Sequence, residues 1–207
     1  ALRQVTRDND ILLIMDEVVT GFRYAPGGCQ EYFEVVPDIS TFGKALGAGI
    51  PIGAVVGKKD IMEAFSWGKV LHYGTFNATR LAMEVVDTNI DVLTRDANAG
   101  IKHLHYIGDK IIAGLNDIFE HRKMPGIVQG FGPMFQLYFT QADSIDDYRD
   151  YCSKIDTDKY SRFAHKLLEG GVYSTVSNGL HSIACMAHTE EDVARVLNAA
   201  DDAIASM

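Results

Sequence analysis

A short, continuous apolar segment, Ile11-Leu-Leu-Ile-Met15, constrains the fold of this chain more than any other feature. The segment is too short for a helix and is bounded by Asp10 and Asp16, so it predicts a β-strand that is buried on both faces. Strands of this kind belong to parallel sheets, which are built from alternating strands and helices. The segment therefore favours an α/β fold.

The rest of the chain alternates in the same way. Further strands are predicted at 36–42, 52–56, 134–139 and 182–186, and helices at 81–93, 101–118, 160–169 and from the Thr189 capping box to the end. The pattern changes near residue 95. We therefore predict two domains: residues 1–95, part of a large domain with a mostly parallel sheet and flanking helices, and residues 96–207, a smaller α+β C-terminal domain.

Composition excludes several classes of partner. The chain has 207 residues and a formal net charge of -9, and it contains no basic run that would bind nucleic acid. No apolar stretch is long enough to span a membrane. The three cysteines are widely spaced and the seven histidines are scattered, so neither disulfides nor a metal site is predicted. We expect a soluble, cytoplasmic protein, and since the first residues read as a helix in progress, we expect further residues before Ala1.

Three features in a fixed order carry the chemistry. Asp16 follows the first strand at the edge where open α/β sheets bind ligands. Lys44 lies in a glycine-lined turn one strand later, where a lysine can become a nucleophile. Thr75, in Gly74-Thr-Phe-Asn77, precedes a helix and could bind a phosphate. Taken singly, each also has a structural explanation, as a turn residue, a solvated lysine or a helix cap.

This ordered set resembles the class III aminotransferases, which have the fold type I of pyridoxal 5'-phosphate (PLP) enzymes. Within that family it is most similar to members like glutamate-1-semialdehyde 2,1-aminomutase. The resemblance covers most of the chain, and its most specific stretches are Met15-Asp-Glu-Val-Val-Thr-Gly-Phe-Arg23, Gly28-Cys-Gln-Glu-Tyr-Phe33, Val36-Pro-Asp-Ile-Ser-Thr-Phe-Gly-Lys-Ala-Leu-Gly-Ala-Gly-Ile-Pro-Ile-Gly53 and Gly74-Thr-Phe-Asn77. The chain is thus expected to be the C-terminal part of such an enzyme.

The resemblance implies a role for each site residue. Lys44 would form a Schiff base with PLP and then move the substrate proton. Asp16 would pair with the pyridine nitrogen, and Val18 would pack against the ring. Thr75 would bind the cofactor phosphate of the neighbouring subunit, which implies a homodimer. The implied substrate is a small amino acid or amino ketone.

Two departures from the family pattern qualify the reaction. Val19 stands where many class III transaminases carry Gln, and since aminomutase-like members also have an apolar residue there, this departure favours that subgroup. Asn77-Ala-Thr-Arg80, which replaces the usual Asn-Pro, points the opposite way. The residues that bind the phosphate within the subunit, stack on the ring and contact the substrate carboxylate are expected upstream of Asp16, so the chain alone is not expected to be a complete enzyme. A PLP-dependent racemase and a non-catalytic homologous fragment that binds a partner remain the alternatives.

Overall fold

The computed structural model describes residues 1–66, 69–175 and 181–207. These residues divide into two units, Ala1–Lys102 (unit 1) and His103–Met207 (unit 2). Both units combine helices with a three-stranded sheet, so the predicted mixed α/β class is confirmed. The division at residue 95 remains a prediction, as does the assignment of the second part as a small C-terminal domain.

Unit 1 is built on a sheet with the strand order β1-β2-β3. Its elements are helix α1 (Leu2–Asp8), strand β1 (Ile14–Glu17), helix α2 (Cys29–Tyr32), strand β2 (Ile39–Phe42), strand β3 (Ala54–Gly57) and helix α3 (Lys59–Met62). Strands β1 and β2 are parallel, as the apolar character of β1 predicts, whereas β3 runs antiparallel to β2. Short 3₁₀ helices follow β2 and α3, at Lys44–Gly47 and Glu63–Phe65.

Strand β1 differs from its prediction in position and in burial. It starts at Ile14 and includes Asp16, which the sequence pattern had placed directly after the strand. Ile11, Leu12 and Ile14 are each more than half exposed, so the strand is not buried on both faces within the described structure. The physical reason is that a strand face is buried only where other elements pack against it, and the small apolar cluster described in unit 1, around Phe42, Leu46 and Val86, includes no residue of β1.

Helix α4 (Arg80–Arg122) runs from unit 1 into unit 2 and joins the two helices that the sequence predicts. Its helical geometry is interrupted at residues 95–98. Asp96, Ala97 and Asn98 all have left-handed dihedral angles, which L-residues adopt at a cost. The interruption is a kink between two helical segments.

Unit 2 contains a second sheet, of strand order β4-β5-β6, in which both pairings are antiparallel. Its elements after α4 are strand β4 (Ile127–Phe131), strand β5 (Met134–Tyr138), helix α5 (Tyr148–Lys154), helix α6 (Thr157–Glu169), strand β6 (Ser182–Ile183) and helix α7 (Glu190–Ala205). Strand β4 and helix α5 were not predicted from the sequence. The predicted capping box is present, because Thr189 accepts a hydrogen bond from the backbone of Asp192 and the Asp192 side chain accepts one in return.

The core of unit 2 is formed by side chains from three helices and the sheet. Helices α4, α6 and α7 and the sheet contribute buried side chains that include Ile107, Ile111, Leu115, Phe119, Phe139, Phe163, Leu167 and Ile204. The Phe139 ring packs edge-on between those of Phe119 and Phe163, at centroid distances of 5.5 Å each. Unit 1 has a much smaller cluster of buried residues, Phe42, Leu46 and Val86.

Candidate active site

The pairing of β1 with β2 fixes the position of Asp16. In the parallel register Asp16 lies beside Thr41, near the carboxyl ends of both strands. The Thr41 hydroxyl donates a hydrogen bond of 3.1 Å to Asp16 Oδ1, and the backbone N–H of Val18 donates another of 3.0 Å to the same oxygen. The carboxylate is therefore held in a defined orientation although its side chain is exposed.

These contacts also determine the charge of Asp16. The backbone N–H of Val18, then the Thr41 hydroxyl and the positive charge of Lys44, lower the pKa of the Asp16 carboxyl below its usual value. Hydrogen bonds and a nearby cation both favour the ionised form. Asp16 is consequently a carboxylate at neutral pH, and it lies close enough to Lys44 to interact with it electrostatically.

Lys44 lies two residues after β2, at the start of the 3₁₀ helix Lys44–Gly47. Its backbone is left-handed, with a φ of 43°. For a residue with a Cβ this conformation costs roughly 1–2 kcal/mol. The Lys44 side chain is exposed in the described structure rather than confined, which differs from the enclosed turn that the sequence predicts.

Val18 packs on the turn that leads into Lys44. A Cβ placed on Gly43 would lie 3.4 Å from Cγ1 of Val18, at van der Waals distance, so the two chain segments are adjacent. Val18 thus lies next to Asp16, whose carboxylate its N–H binds, and next to Gly43, the residue before Lys44. The structure brings these three predicted site residues together.

Thr75 lies elsewhere in unit 1, in an exposed turn before α4. No hydrogen bond or ion pair joins Thr75 to Asp16 or Lys44 across residues 1–66, 69–175 and 181–207. The adjacent segment carries large apolar side chains that are strongly exposed, among them Tyr73 at 81% and Phe76 at 85%. Thr75 is therefore exposed and lies between exposed apolar side chains of the described chain.

Sequence reasoning missed Glu17, whose side chain is fully buried. Its carboxylate accepts hydrogen bonds from the Thr20 hydroxyl and from the backbone N–H groups of Cys29, at 3.0 Å, and Gln30, at 2.6 Å. Glu17 thereby binds the amino end of α2 and the turn after β1. A signal was present, because adjacent strand residues point to opposite faces: where Asp16 faces outward, Glu17 must face inward.

Thr41 was also missed as the partner of Asp16. The signal that could have identified it is the rule that carboxyl ends of parallel strands meet at one sheet edge. The register itself, however, is set by pairing between residues 25 apart in sequence.

The described cavities lie away from these residues. One of them, a mostly apolar cavity of about 440 Å³, lies in unit 2 and is lined by residues such as Leu115, Phe135 and Phe163. None of Asp16, Val18, Lys44 and Thr75 lines it. Among the described residues, no group of His, Cys, Asp and Glu side chains is arranged to hold a metal ion, and no helix has the length and apolar character needed to cross a membrane.

Comparison with known proteins assigns this chain to a family. A family model described as Aminotransferase class-III matches residues 1–204. The chain is 38% identical, over its full 207 residues and 48% of the relative, to a glutamate-1-semialdehyde 2,1-aminomutase of Methanosphaera stadtmanae. The chain thus spans about half the length of the curated relatives it matches.

Solved structures support the same assignment. An omega-transaminase from Sphaerobacter thermophilus matches with a TM-score of 0.86 and 27% identity, over 99% of this chain and 46% of that one. A transaminase solved with PLP bound matches with a TM-score of 0.82 and 25% identity, over 99% and 46% of the two chains. With a family model that covers nearly all of its residues, the chain belongs to the class III aminotransferase family.

Proposed function

We propose that this chain carries the cofactor-binding lysine, Lys44, of a PLP-dependent enzyme that transfers amino groups, as an aminotransferase or as a glutamate-1-semialdehyde aminomutase-like enzyme. The proposed substrate is a small amino acid or amino ketone. The observation that supports this most directly is the placement of Lys44 beside the Asp16–Thr41 pair, at the carboxyl ends of two parallel strands.

The chemistry of these side chains suits the cofactor. Asp16 is anionic, oriented and accessible, so it would accept a hydrogen bond from a protonated pyridine nitrogen and keep the proton there. Its oxygen Oδ1 is already fixed by Val18 and Thr41. Because the carboxylate is otherwise exposed in the described structure, its remaining lone pairs are accessible to a ligand.

Lys44 and Val18 complete this side of the site. The exposed Lys44 amine would bind the cofactor aldehyde covalently, and once released it would take and return the substrate proton as a general base and acid. Val18 would form an apolar wall beside the ring. When bound, PLP supplies an electron-withdrawing ring that stabilises negative charge on the substrate carbon.

Reductive labelling tests the assignment of Lys44. The protein, at its full encoded length, would be reduced with borohydride in the presence of PLP, digested and analysed by mass spectrometry. A pyridoxyl group is expected on the peptide that contains Lys44. Lys44→Ala should lose the label, whereas Lys59→Ala, at an exposed lysine of the same unit, should keep it. A label that is absent from the parent protein, or unchanged in Lys44→Ala, would falsify the proposal.

Asp16→Asn tests the second role separately. The amide keeps the shape of the side chain but lacks its charge, so Lys44 should still be labelled. The rate of amino-group transfer should fall on the order of a hundredfold, which is typical when a group that stabilises charge in the reaction is removed. Transfer at the parental rate would contradict the role of Asp16.

We further propose a homodimer in which Thr75 binds the cofactor phosphate of the neighbouring subunit. The support is the exposed apolar surface around Thr75, since such patches mark sites of association. A second copy would cover Tyr73 and Phe76 and bring the Thr75 hydroxyl to a site that it does not reach within its own subunit as described.

Mixed dimers test this arrangement. The Thr75→Val and Lys44→Ala proteins should each have reduced amino-group transfer activity when they are measured separately. A dimer of one subunit of each kind would contain one site with both native residues if Thr75 serves its neighbour, so mixing should restore activity. If Thr75 serves its own subunit, the mixed dimer contains no native site and mixing should restore nothing.

Two further assignments, the domain division and the cellular location, complete the proposal. The domain division at residues 1–95 and 96–207 is proposed on the change of sequence pattern and on the kink of α4 at residues 95–98. A cytoplasmic location is proposed on the three cysteines, which are free in the described structure.

A further inference from the structure

We propose that Asn89 is a positioning residue, which holds the turn that carries Lys44 in its reactive conformation. This inference rests on the proposed function, because it assigns to Asn89 an effect on the cofactor-binding lysine. Asn89 lies on α4, 45 positions after Lys44, and no pattern in the sequence connects the two.

The contact is direct. The Asn89 side-chain amide, Nδ2, donates a hydrogen bond of 2.7 Å to the backbone carbonyl of Ala45 and a longer one of 3.3 Å to that of Leu46. Both carbonyls belong to the 3₁₀ helix that begins at Lys44. One amide group therefore binds two consecutive carbonyls of the turn at a half-buried position.

The turn needs such support because its backbone is strained at both ends. Lys44 has a φ of 43° and Ala48 a φ of 45°, and neither is a glycine. Non-glycine residues persist in left-handed conformations only where the surrounding structure holds them there. Within the turn, the Leu46 N–H bonds to Gly43 and the Ala48 N–H bonds to Ala45, at 2.9 and 3.3 Å.

Helix α4 supplies both the polar and the apolar part of this support. Val86 lies three residues before Asn89, so the two side chains project from the same face of the helix. Val86 packs with Leu46 and Phe42 in the small buried cluster of unit 1. The apolar contact fixes the distance between helix and turn, while the Asn89 amide fixes the direction of the carbonyls.

Loss of the amide would leave the Ala45 carbonyl with its long, 3.3 Å hydrogen bond from the Ala48 N–H and would remove the bond to the Leu46 carbonyl, so both carbonyls could rotate more easily. Lys44, as the first residue of the turn, would then leave its strained conformation, and its amine would no longer keep its present relation to Asp16. The consequence is a lysine that can still bind PLP but that transfers the substrate proton poorly.

Two variants of Asn89 test this role, in the protein at its full encoded length. Asn89→Asp keeps the shape but replaces the donor with a carboxylate, which repels the two carbonyls. Asn89→Ala removes the donor without adding charge, and alanine is the best helix former, so α4 is retained. Thr88→Ala, at an exposed neighbour on the same helix, serves as the control.

The first measurement is peptide-resolved hydrogen exchange without cofactor. Residues 43–50 should exchange faster in both Asn89 variants than in the parent or in Thr88→Ala, while the far side of the sheet should be unchanged. The second is kinetic. In a separate reduced sample of each variant, Lys44 should still be labelled by borohydride and PLP. In the unreduced variants, kcat for amino-group transfer should fall about tenfold to a hundredfold with little change in KM, since a misplacement of ~1 Å can cost on the order of a hundredfold.

The outcomes separate the two proposals. A parent protein without label at Lys44 rejects the proposed function, and the exchange of residues 43–50 then still decides whether Asn89 holds the turn. If Lys44 is labelled but exchange is unchanged in both variants, the inference about Asn89 is wrong. Faster exchange with the parental kcat also overturns it, because Asn89 would then stabilise the turn without positioning Lys44.

Discussion

Units 1 and 2 of this chain are each stabilised internally by a different kind of contact. Unit 2 encloses a large apolar core to which helices α4, α6 and α7 and the sheet contribute. Unit 1 buries few apolar side chains among its described residues and leaves many exposed, including Ile11, Leu12, Tyr73 and Phe76. All four predicted site residues, Asp16, Val18, Lys44 and Thr75, lie in unit 1.

Polar contacts replace much of the missing core in unit 1. Asp38, directly before β2, pairs with Arg3 and Lys58 at 2.6 Å each and accepts a hydrogen bond from the backbone N–H of Leu13. Glu17 binds the amino end of α2. A site built on such directed contacts is oriented by particular residues, whereas unit 2 is stabilised by bulk apolar packing that many residues share.

The largest effect is expected from a cavity in the core of unit 2. Leu167→Ala, at a side chain that is 6% exposed, should lower the free energy of unfolding by about 2–5 kcal/mol. Leu168→Ala, at the next residue of α6, is the matched control, because Leu168 is 52% exposed and loses little buried area. Urea denaturation measures both. Equal effects would show that unit 2 does not depend on its core as described.

A second test of packing concerns the contact between α4 and the turn that joins β4 to β5. A Cβ on Gly108 would lie 1.8 Å from the carbonyl oxygen of Gly132, which is backbone and cannot move aside easily. Gly108→Ala should therefore destabilise unit 2 by roughly 1–3 kcal/mol despite the better helix propensity of alanine.

Gly114→Ala is the matched control on the same helix. Its Cβ would meet the end of the Leu197 side chain, which can change rotamer. The free energies of unfolding of the two variants decide the matter, and a loss in Gly114→Ala as large as that in Gly108→Ala would contradict the close backbone contact.

In unit 1, Glu17→Gln tests the polar anchoring. The amide oxygen can replace only one of the two carboxylate oxygens, so the backbone N–H of either Cys29 or Gln30 is left facing an NH2 group, and a loss of about 1–3 kcal/mol is expected. Hydrogen exchange should show the loss at residues 18–32. Glu34→Gln, at an exposed glutamate nearby, should leave exchange unchanged; the same result for Glu17→Gln would mean that packing alone holds this segment.

The smallest effect is a change in pH dependence at Asp38. Hydrogen bonds from Arg3, then Lys58 and the Leu13 N–H, lower the pKa of the Asp38 carboxyl far below its usual value. A carboxyl whose pKa is lower in the folded state stabilises the protein above the unfolded pKa, about 3.9, and loses that contribution as pH falls further. The side-chain amide of an Asp38→Asn variant would still accept a hydrogen bond from the Leu13 N–H, so the effect is modest.

The measurement is the melting temperature as a function of pH. Asp38→Asn should melt below the parent at pH 7, and the difference should narrow as pH falls from about 4 to about 2, through and below the unfolded pKa. Asp60→Asn, at an exposed carboxylate of unit 1, is the control and should follow the parent. A difference that is constant over this pH range would show that the charge of Asp38 is not what stabilises unit 1.

Local patterns were sufficient for the kind and order of most elements. The apolar segment before Asp16, the helical spacing along α4 and the Thr189 capping box each depend on neighbouring residues, so they can be recognised without knowledge of the fold. Strand β4 and helix α5 were not predicted, because β4 contains Gly130 and α5 is short and largely polar. The interruption of α4 was not predicted because none of its left-handed residues is a glycine.

The sequence by itself determined the α/β class, the family resemblance and the identity of Asp16, Val18, Lys44 and Thr75 as candidates, because motif and periodicity are local properties of the chain. Only the tertiary structure decided that Thr41 orients Asp16, that Glu17 anchors the following turn and that Asn89 reaches the carbonyls beside Lys44. Those contacts join residues from 12 to 44 positions apart, and strand register and helix docking select such partners only when the chain folds.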